Sequence, residues 1–270
     1  MNIFVLHTNQ RICAKYHCDK HVISQIKEYA QLLSTAHRVL DKNRNVLCEI
    51  THVNHPCAKW VRQCDANYQW LYLLLKELCK EYTYRYEKIH LYERNGLLNY
   101  LRKSPTNIRY GNLTQFALAM PEEHQTSSAV WSYRSYYAYA KKKLLQYKKR
   151  KLPLFLRRRI VICGGRDYSD WKQLRRICDK VLLPTDTIIC GKAAGADYLG
   201  ERYAKYAGLA YEEYPADWRL HGKAAGYIRN KEMIITSTHV LAFWDGKSRG
   251  TKHSIALSHT YKRHLLIIRY

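Results

Sequence analysis

The sequence predicts two domains of different class: an α/β Rossmann-like three-layer domain at the C-terminal end, and a mainly α-helical domain before it. Three observations predict this. From residue 157 onward, short β-branched runs alternate with helical patterns, the signature of βαβ units around a parallel sheet. Over residues 1–150 glycines are few and apolar residues recur at helical spacing. Between the two lies a polybasic stretch broken by Pro153. The divisions that follow are a basic, His- and Tyr-rich domain over 1–150, a linker over 151–156 and the α/β domain over 157–270. A chain of 270 residues is long enough for each part to bury its own core.

The first element, NIFVL, fits a short strand. In HVISQIKEYAQLLSTAHRVL, the residues Val22, Ile26, Tyr29, Leu33 and Ala36 fall on one stripe of a helix. YQWLYLLLKELCKEYTYRY (68–86) reads as a second, strongly apolar helix. SAVWSYRSYYAYAKKKLLQYKKR (128–150) reads as a third, with Pro121 and the Thr126-Ser127-Ser128 cluster as its start signal. The strip 141–159 then carries ten Lys or Arg and no acid. It fits a track for a phosphate backbone, and equally a solvated helix end followed by a linker.

Strands are expected at RIVIC (159–163), TIIC (187–190), HVLAF (239–243) and LLIIR (265–269), with YEEYP (211–215) as a further one. The helical patterns between them are 171–182, 197–208, 228–237 and 250–262. In such a sheet, ligands bind where the loops gather at the carboxyl ends of the strands.

Composition narrows the partners. Forty-six Lys+Arg against 22 Asp+Glu give a net charge of +24, which favours polyanions such as nucleic acid through counterion release. Nine cysteines, an odd number without any CxxC, argue against a disulfide scaffold and for reduced thiols. The opening residues lack a signal-peptide pattern and no stretch approaches a membrane span, so the expectation is a soluble cytoplasmic protein without membrane contact.

Three loops follow predicted strands. They are Gly164-Gly165-Arg166-Asp167, then CGKAAGAD (190–197), then FWDGKSRGT (243–251). Glycine lets the backbone approach an oxyanion, and a following helix N-terminus aims N–H groups at it. Arg166, Lys192 and Arg249 supply charges suited to phosphate. Three such loops on one parallel sheet converge, which points to a phosphorylated ligand.

GGRDYSD, GKAAGADYLGERYA, YPADWRLHGKAAGYIRNKEM and AFWDGKSRGT, in that order, resemble the YspA-like branch of the SLOG superfamily. That superfamily also holds the DprA DNA-processing proteins and the Lonely Guy phosphoribohydrolases. The resemblance covers about residues 157–270 and implies a Rossmannoid fold that binds a nucleotide or nucleotide-derived small molecule, with a homodimer by analogy. It carries over Gly164, Gly165 and Arg166 from the first loop, and Gly191, Gly195, Ala196 and Asp197 from the second. From the middle motif it carries Asp217, Trp218, Gly226, Arg229 and Asn230. From the last come Trp244, Asp245, Gly246, Ser248, Gly250 and Thr251. Lys192 stands where many members have a second glycine. The glutamate of the Lonely Guy pattern is out of register, leaving Asp197 and Glu201 as the carboxylates for N-glycosidic hydrolysis. Gly-Ala-Asp reads equally as a helix start. Binding without turnover is the expectation, with no cofactor and no metal.

In the helical domain, His17 and His21 stand at i and i+4 with Asp19 and Lys20 between them. THVNHPCAKWVRQCD adds His52, His55, Lys59, Arg62 and Asp65. These residues suit zinc, an acid–base cluster with anion donors, or histidines satisfied in a polar core. HCDKHV, QLLSTAHR, the NHPCAKWVR segment and LCKEYTYRY are similar to segments of a tailed-phage protein family, which implies a phage origin and brings no activity with it. Tyrosines and tryptophans interleaved with Arg and Lys fit base stacking or simple packing.

Overall fold

The computed structural model describes residues 1–43 and 48–270 and divides into two compact units, Met1–Pro153 and Leu154–Tyr270. Both are basic, with 25 Lys+Arg against 11 Asp+Glu in the first and 21 against 11 in the second.

The first unit is helical. It contains α1 (Gln10–Tyr16), α2 (Asp19–Leu40), α3 (Pro56–Gln63), α4 (Asp65–Tyr86), α5 (Leu91–Arg94), α6 (Leu97–Leu101) and α7 (Ala129–Ala140). The stripe Val22, Ile26, Tyr29, Leu33 and Ala36 of α2 is fully buried, as are Leu71, Leu74, Leu75 and Leu78 of α4. Asn9 caps α1 by accepting from the Ile12 N–H, and Pro56 sits in the first turn of α3, where its missing donor costs nothing.

Two sequence expectations need correction here. The opening NIFVL is buried but joins no strand among the described residues; the Phe4 N–H donates to the Tyr29 hydroxyl at 3.0 Å instead. The third helix, capped by Ser128, stops at Ala140 rather than running to 150. Three successive lysines follow, and the chain leaves the helix because better partners lie elsewhere. The Asp19 N–H donates to the Gln146 carbonyl at 2.8 Å and the Lys148 N–H to the Asp19 carboxylate at 2.9 Å. Arg150 grips Glu81 with two bonds of 2.8 Å.

The second unit is a five-stranded, all-parallel sheet in the order β3-β2-β1-β4-β5. In chain order it runs β1 (Arg159–Gly164), α8 (Trp171–Val181), β2 (Thr187–Cys190), α9 (Ala196–Ala207), β3 (Ala210–Glu213), α10 (Trp218–His221), α11 (Ala225–Thr236), β4 (His239–Trp244), α12 (Arg249–Thr260) and β5 (His264–Arg269). Alternation along β1 builds two cores. Ile160 and Ile162 pack against α8 and α9, while Val161 and Cys163 pack with Met233, Ile234 and Ile255 of α11 and α12. Helices therefore cover both faces, giving the three-layer Rossmann-like architecture.

The chain winds outward from β1 to β3 and then returns to place β4 on the other side of β1. The β1–β4 boundary is thus the topological switch point, where the loops leaving two adjacent strands diverge and open a crevice.

Candidate functional site

The crevice at the switch point is built by backbone. The Gly165 N–H donates to the Phe243 carbonyl at 3.2 Å, and the Ala196 N–H donates to the Gly165 carbonyl at 3.3 Å. The first loop is thereby held between β4 and the start of α9. A Cβ on Gly164 would lie 2.6 Å from that of Ala196 and collide with the Phe243 carbonyl, so no larger residue fits.

A cavity of about 400 Å³ opens there. Gly164, Gly165 and Arg166 of the first loop line it, with Asp197 of the second and Ser248, Gly250 and Thr251 of the third. Trp218, Gly226, Arg229 and Asn230 close it from the segment between β3 and β4. A second cavity of about 410 Å³ adjoins it, shares Arg166, Trp218 and Arg229, and adds Gly191 and Lys192.

The remaining sequence-selected residues stand behind or beside these linings. Gly195 and Ala196 form the tight start of α9. Asp217 caps α10, accepting from the Leu220 N–H at 2.9 Å. Asp245 accepts from the N–H groups of Lys247 and Ser248, and Gly246 takes a φ of 84° in the same turn. The Trp244 indole donates to the Ser248 carbonyl at 3.3 Å and lies under the Arg269 guanidinium. Arg249 is exposed at the first position of α12, outside both linings.

The two candidate carboxylates have opposite surroundings. Glu201 lies outside both cavities and is held by Lys192 at 3.1 Å and Lys205 at 2.6 Å. Lys192 also reaches Glu213 at 3.1 Å, so its charge is already matched. Asp197 is buried on the cavity floor. Burial raises its carboxyl to about 6, while Arg229, whose Nη1 lies 3.8 Å away, and the N–H groups of Gly191 and Ala193 pull it down. Arg229 also donates to the Gly191 carbonyl and, through Nε, to Asn230 at 2.9 Å. Asp197 and Arg229 together pin the second loop.

The raised value has a consequence with a definite sign. The folded unit holds the Asp197 proton more tightly than the unfolded chain, so this contribution to stability is full at low pH and is lost as pH rises from about 4 to about 6. Urea titrations of wild type and Asp197→Asn across that window check this. The variant is expected to show a flatter pH dependence.

Asp167 of the first loop also lines the first cavity, as do Cys163, Ala193, Lys223, Tyr227 and Ser254, which sequence reasoning did not single out. Lys223 and Tyr227 lie inside the quoted middle motif, so that signal was available. Ser254 sits one turn beyond Thr251, a spacing that would have found it.

The histidines of the helical unit are engaged one by one. His17 bonds the Cys13 carbonyl at 2.8 Å through Nδ1 and the Tyr29 hydroxyl at 3.2 Å through Nε2. His21 bonds the Tyr137 hydroxyl at 3.0 Å and stacks on Phe4 at 4.7 Å. His55 caps α3, accepting from the Cys57 N–H, and His52 sits in the preceding turn with φ 46°. Asp19 pairs with Arg85, Asp65 accepts from the Gly111 N–H, and Arg62 donates to the Val53 carbonyl. Lys20 and Lys59 are exposed. Among the described residues no group of three or more His, Cys, Asp or Glu side chains is placed to hold a metal ion.

Burial lowers His17 to about 3 and His21 to about 4, well below the ordinary 6.5. Stability from their neutral forms is full above 6.5 and lost as pH falls below it. The helical unit is expected to melt cooperatively in acid, and His21→Phe to shift the midpoint downward in a far-ultraviolet dichroism titration.

A Rossmannoid unit with a switch-point cavity, and in the same chain a separate basic helical unit, define the class. Residues 158–221 match the YspA, cpYpsA-related SLOG family, and residues 1–94 match the pyrimidine dimer DNA glycosylase family. The Gene 61 protein of Mycobacterium phage D29 is 35% identical over 106 residues, covering 36% of this chain and 84% of that protein. The chain belongs to the same family as that phage protein, through its N-terminal part, and carries a SLOG-family domain fused behind it. No solved structure matches. No helix among the described residues is long and apolar enough to cross a membrane.

Proposed function

We propose that the SLOG-type unit binds a nucleotide or nucleotide-derived small molecule at the β1–β4 switch point, and that the helical unit contacts DNA. The convergence of Gly165, Arg166, Ser248, Thr251 and Arg229 on one cavity carries the first reading. The N–H groups starting α12 and the Arg166 guanidinium suit phosphate. The exposed rings of Trp218 and Tyr227 offer a flat apolar wall for a base. Binding without turnover is the better-supported chemistry, because Asp197 already serves Arg229 and the second loop, and Glu201 lies outside the cavity. Hydrolysis of an N-glycosidic bond in this cavity would rest on Asp197 alone.

The match of residues 1–94 to the pyrimidine dimer DNA glycosylase family supports the second reading, together with the surplus of cations in that unit. Its substrate would be DNA carrying pyrimidine dimers.

A thermal-shift panel of nucleoside monophosphates, cyclic nucleotides and pyrophosphate-linked nucleotides, with chromatography of the mixture afterwards, tests the first reading. The expected result is a raised melting temperature with the ligand recovered intact. No shift with any of them overturns it. Trp218→Ala is expected to lower affinity for the shifting ligand about tenfold, in line with the loss of one stacked base. Preferential retention of ultraviolet-irradiated over untreated duplex in a gel-shift assay tests the second reading. Equal retention of both duplexes counts against it.

A further inference from the structure

The outer face of α8 and α9 lies apart from the cavity and is unlike an ordinary solvated surface. It carries Lys172, Arg175, Arg176, Lys180, Arg202 and Lys205. Against these stand only Asp179, which receives Arg175 at 3.5 Å and the Tyr203 hydroxyl at 2.9 Å, and the nearly buried Glu201. Lys172, Arg176, Lys180 and Arg202 have no carboxylate partner among the described residues. Lys172, Arg176 and Lys180 succeed one another at i, i+4 spacing, a like-charge row that weakens an isolated helix rather than supporting it. Such a row is explained by an external polyanion.

The same face presents aromatic rings. Tyr198 and Tyr206 are 59% and 56% exposed. Arg175 of α8 lies 4.7 Å over the Tyr206 ring of α9, and Arg202 of α9 lies 4.4 Å over the Trp171 ring of α8. Trp171 and Tyr206 meet edge to face at 6.0 Å. Each guanidinium thus lies over a ring of the neighbouring helix, that of Arg175 also reaching Asp179, and exposed tyrosine rings stand beside the cationic row.

Unpaired bases bring flat π-faces and a continuous anionic backbone, the two features this face complements. Duplex DNA hides its base faces and would use only the cations. We infer that the α8–α9 face is a stacking platform for single-stranded nucleic acid, independent of the nucleotide cavity and of the helical unit's duplex contact.

The test measures fluorescence anisotropy of the full chain with a labelled oligothymidylate of about 12 nucleotides and with a duplex, across a salt series. Three variants are used: Tyr206→Ala, Tyr206→Phe, and Arg176→Ala with Lys180→Ala. Tyr206→Ala is expected to weaken single-strand binding between about 5- and 100-fold, and Tyr206→Phe to retain it. The double variant is expected to reduce the log–log salt slope by about 1.4, or about 0.7 for each lost charge. Duplex affinity in the Tyr206 variants, and any ligand-induced thermal shift in all three, stay at wild-type values, which separates this inference from the proposed function. Wild-type single-strand affinity and slope in both alanine variants would overturn it. So would sedimentation showing that Tyr206→Ala dissolves a dimer, because the face would then be a contact between copies of this chain.

Discussion

Gly195→Ala is expected to unfold the α/β unit under conditions where the wild type is fully folded. Gly195 has φ 80° and ψ −130°, a region that side chains avoid, and it stands where the second loop turns into α9. An added Cβ would also lie 2.8 Å from the Cα of Arg166 and collide with the Gly165 carbonyl. Neither neighbour yields, because the Gly165 carbonyl accepts from Ala196 and the Gly165 N–H is anchored to β4. Backbone strain and overpacking each cost about 1–3 kcal/mol. Their sum is a large part of the stability of about 5–15 kcal/mol that a domain has. Gly208→Ala is the control: its φ is 64°, but nothing lies within 4 Å of the added atom, so only the conformational cost remains. Thermal melting should show Gly195→Ala losing the α/β transition and Gly208→Ala keeping it. Equal melting temperatures for the two would contradict the packing described here.

Arg85→Ala is expected to be the corresponding lesion in the helical unit. The Arg85 side chain is fully buried. Its Nε donates to Glu81 at 2.8 Å, its Nη1 to Asp19 at 2.9 Å and its Nη2 to the Lys15 carbonyl at 3.1 Å. Burial alone would raise the Glu81 carboxyl, and Arg150 and Arg85 together hold it below the usual range. Removing one partner of a buried pair costs about 3–5 kcal/mol because the other charge stays behind. Arg85→Lys is expected to rescue little, since one ammonium cannot reproduce the three-way fork. Urea unfolding followed separately in the two units should show the helical transition moving and the α/β transition staying. An Arg85→Ala protein with an unshifted helical transition would remove this network from the account.

The two networks also show what the sequence made legible. Four strands of the α/β unit were readable as short runs containing β-branched residues, β3 (AYEE) being the exception, and β1 alternates cleanly between two cores. The glycine loops were readable for the same reason: Gly164 and Gly195 are places where nothing else fits. Chemistry was harder to read, because residue type does not reveal which groups are already partnered. Lys192 looked like a phosphate ligand and is spoken for by Glu201 and Glu213. Asp19, His17 and His21 looked like a reactive cluster; instead Asp19 ties α2 to Arg85 of α4, His17 ties the end of α1 to Tyr29 of α2, and His21 ties α2 to Tyr137 of α7.

The helix expected over 128–150 ended ten residues early because Asp19 and Glu81, far away in sequence, capture the basic segment. The phage character was visible in local segments such as HCDKHV. The likeness of residues 1–94 to the pyrimidine dimer DNA glycosylase family was not read from those segments.

The central claim is that the switch-point cavity recognises a phosphorylated nucleotide-type ligand through Arg166. Calorimetric titration of the full chain with a nucleoside 5′-monophosphate and with its parent nucleoside, repeated on Arg166→Ala, tests it most directly. The prediction is that the monophosphate binds at least about tenfold more tightly than the nucleoside, as expected for one charge-assisted contact, and that Arg166→Ala removes most of this preference. Equal affinity for the two ligands in the wild type, or a preference that survives Arg166→Ala unchanged, would contradict it.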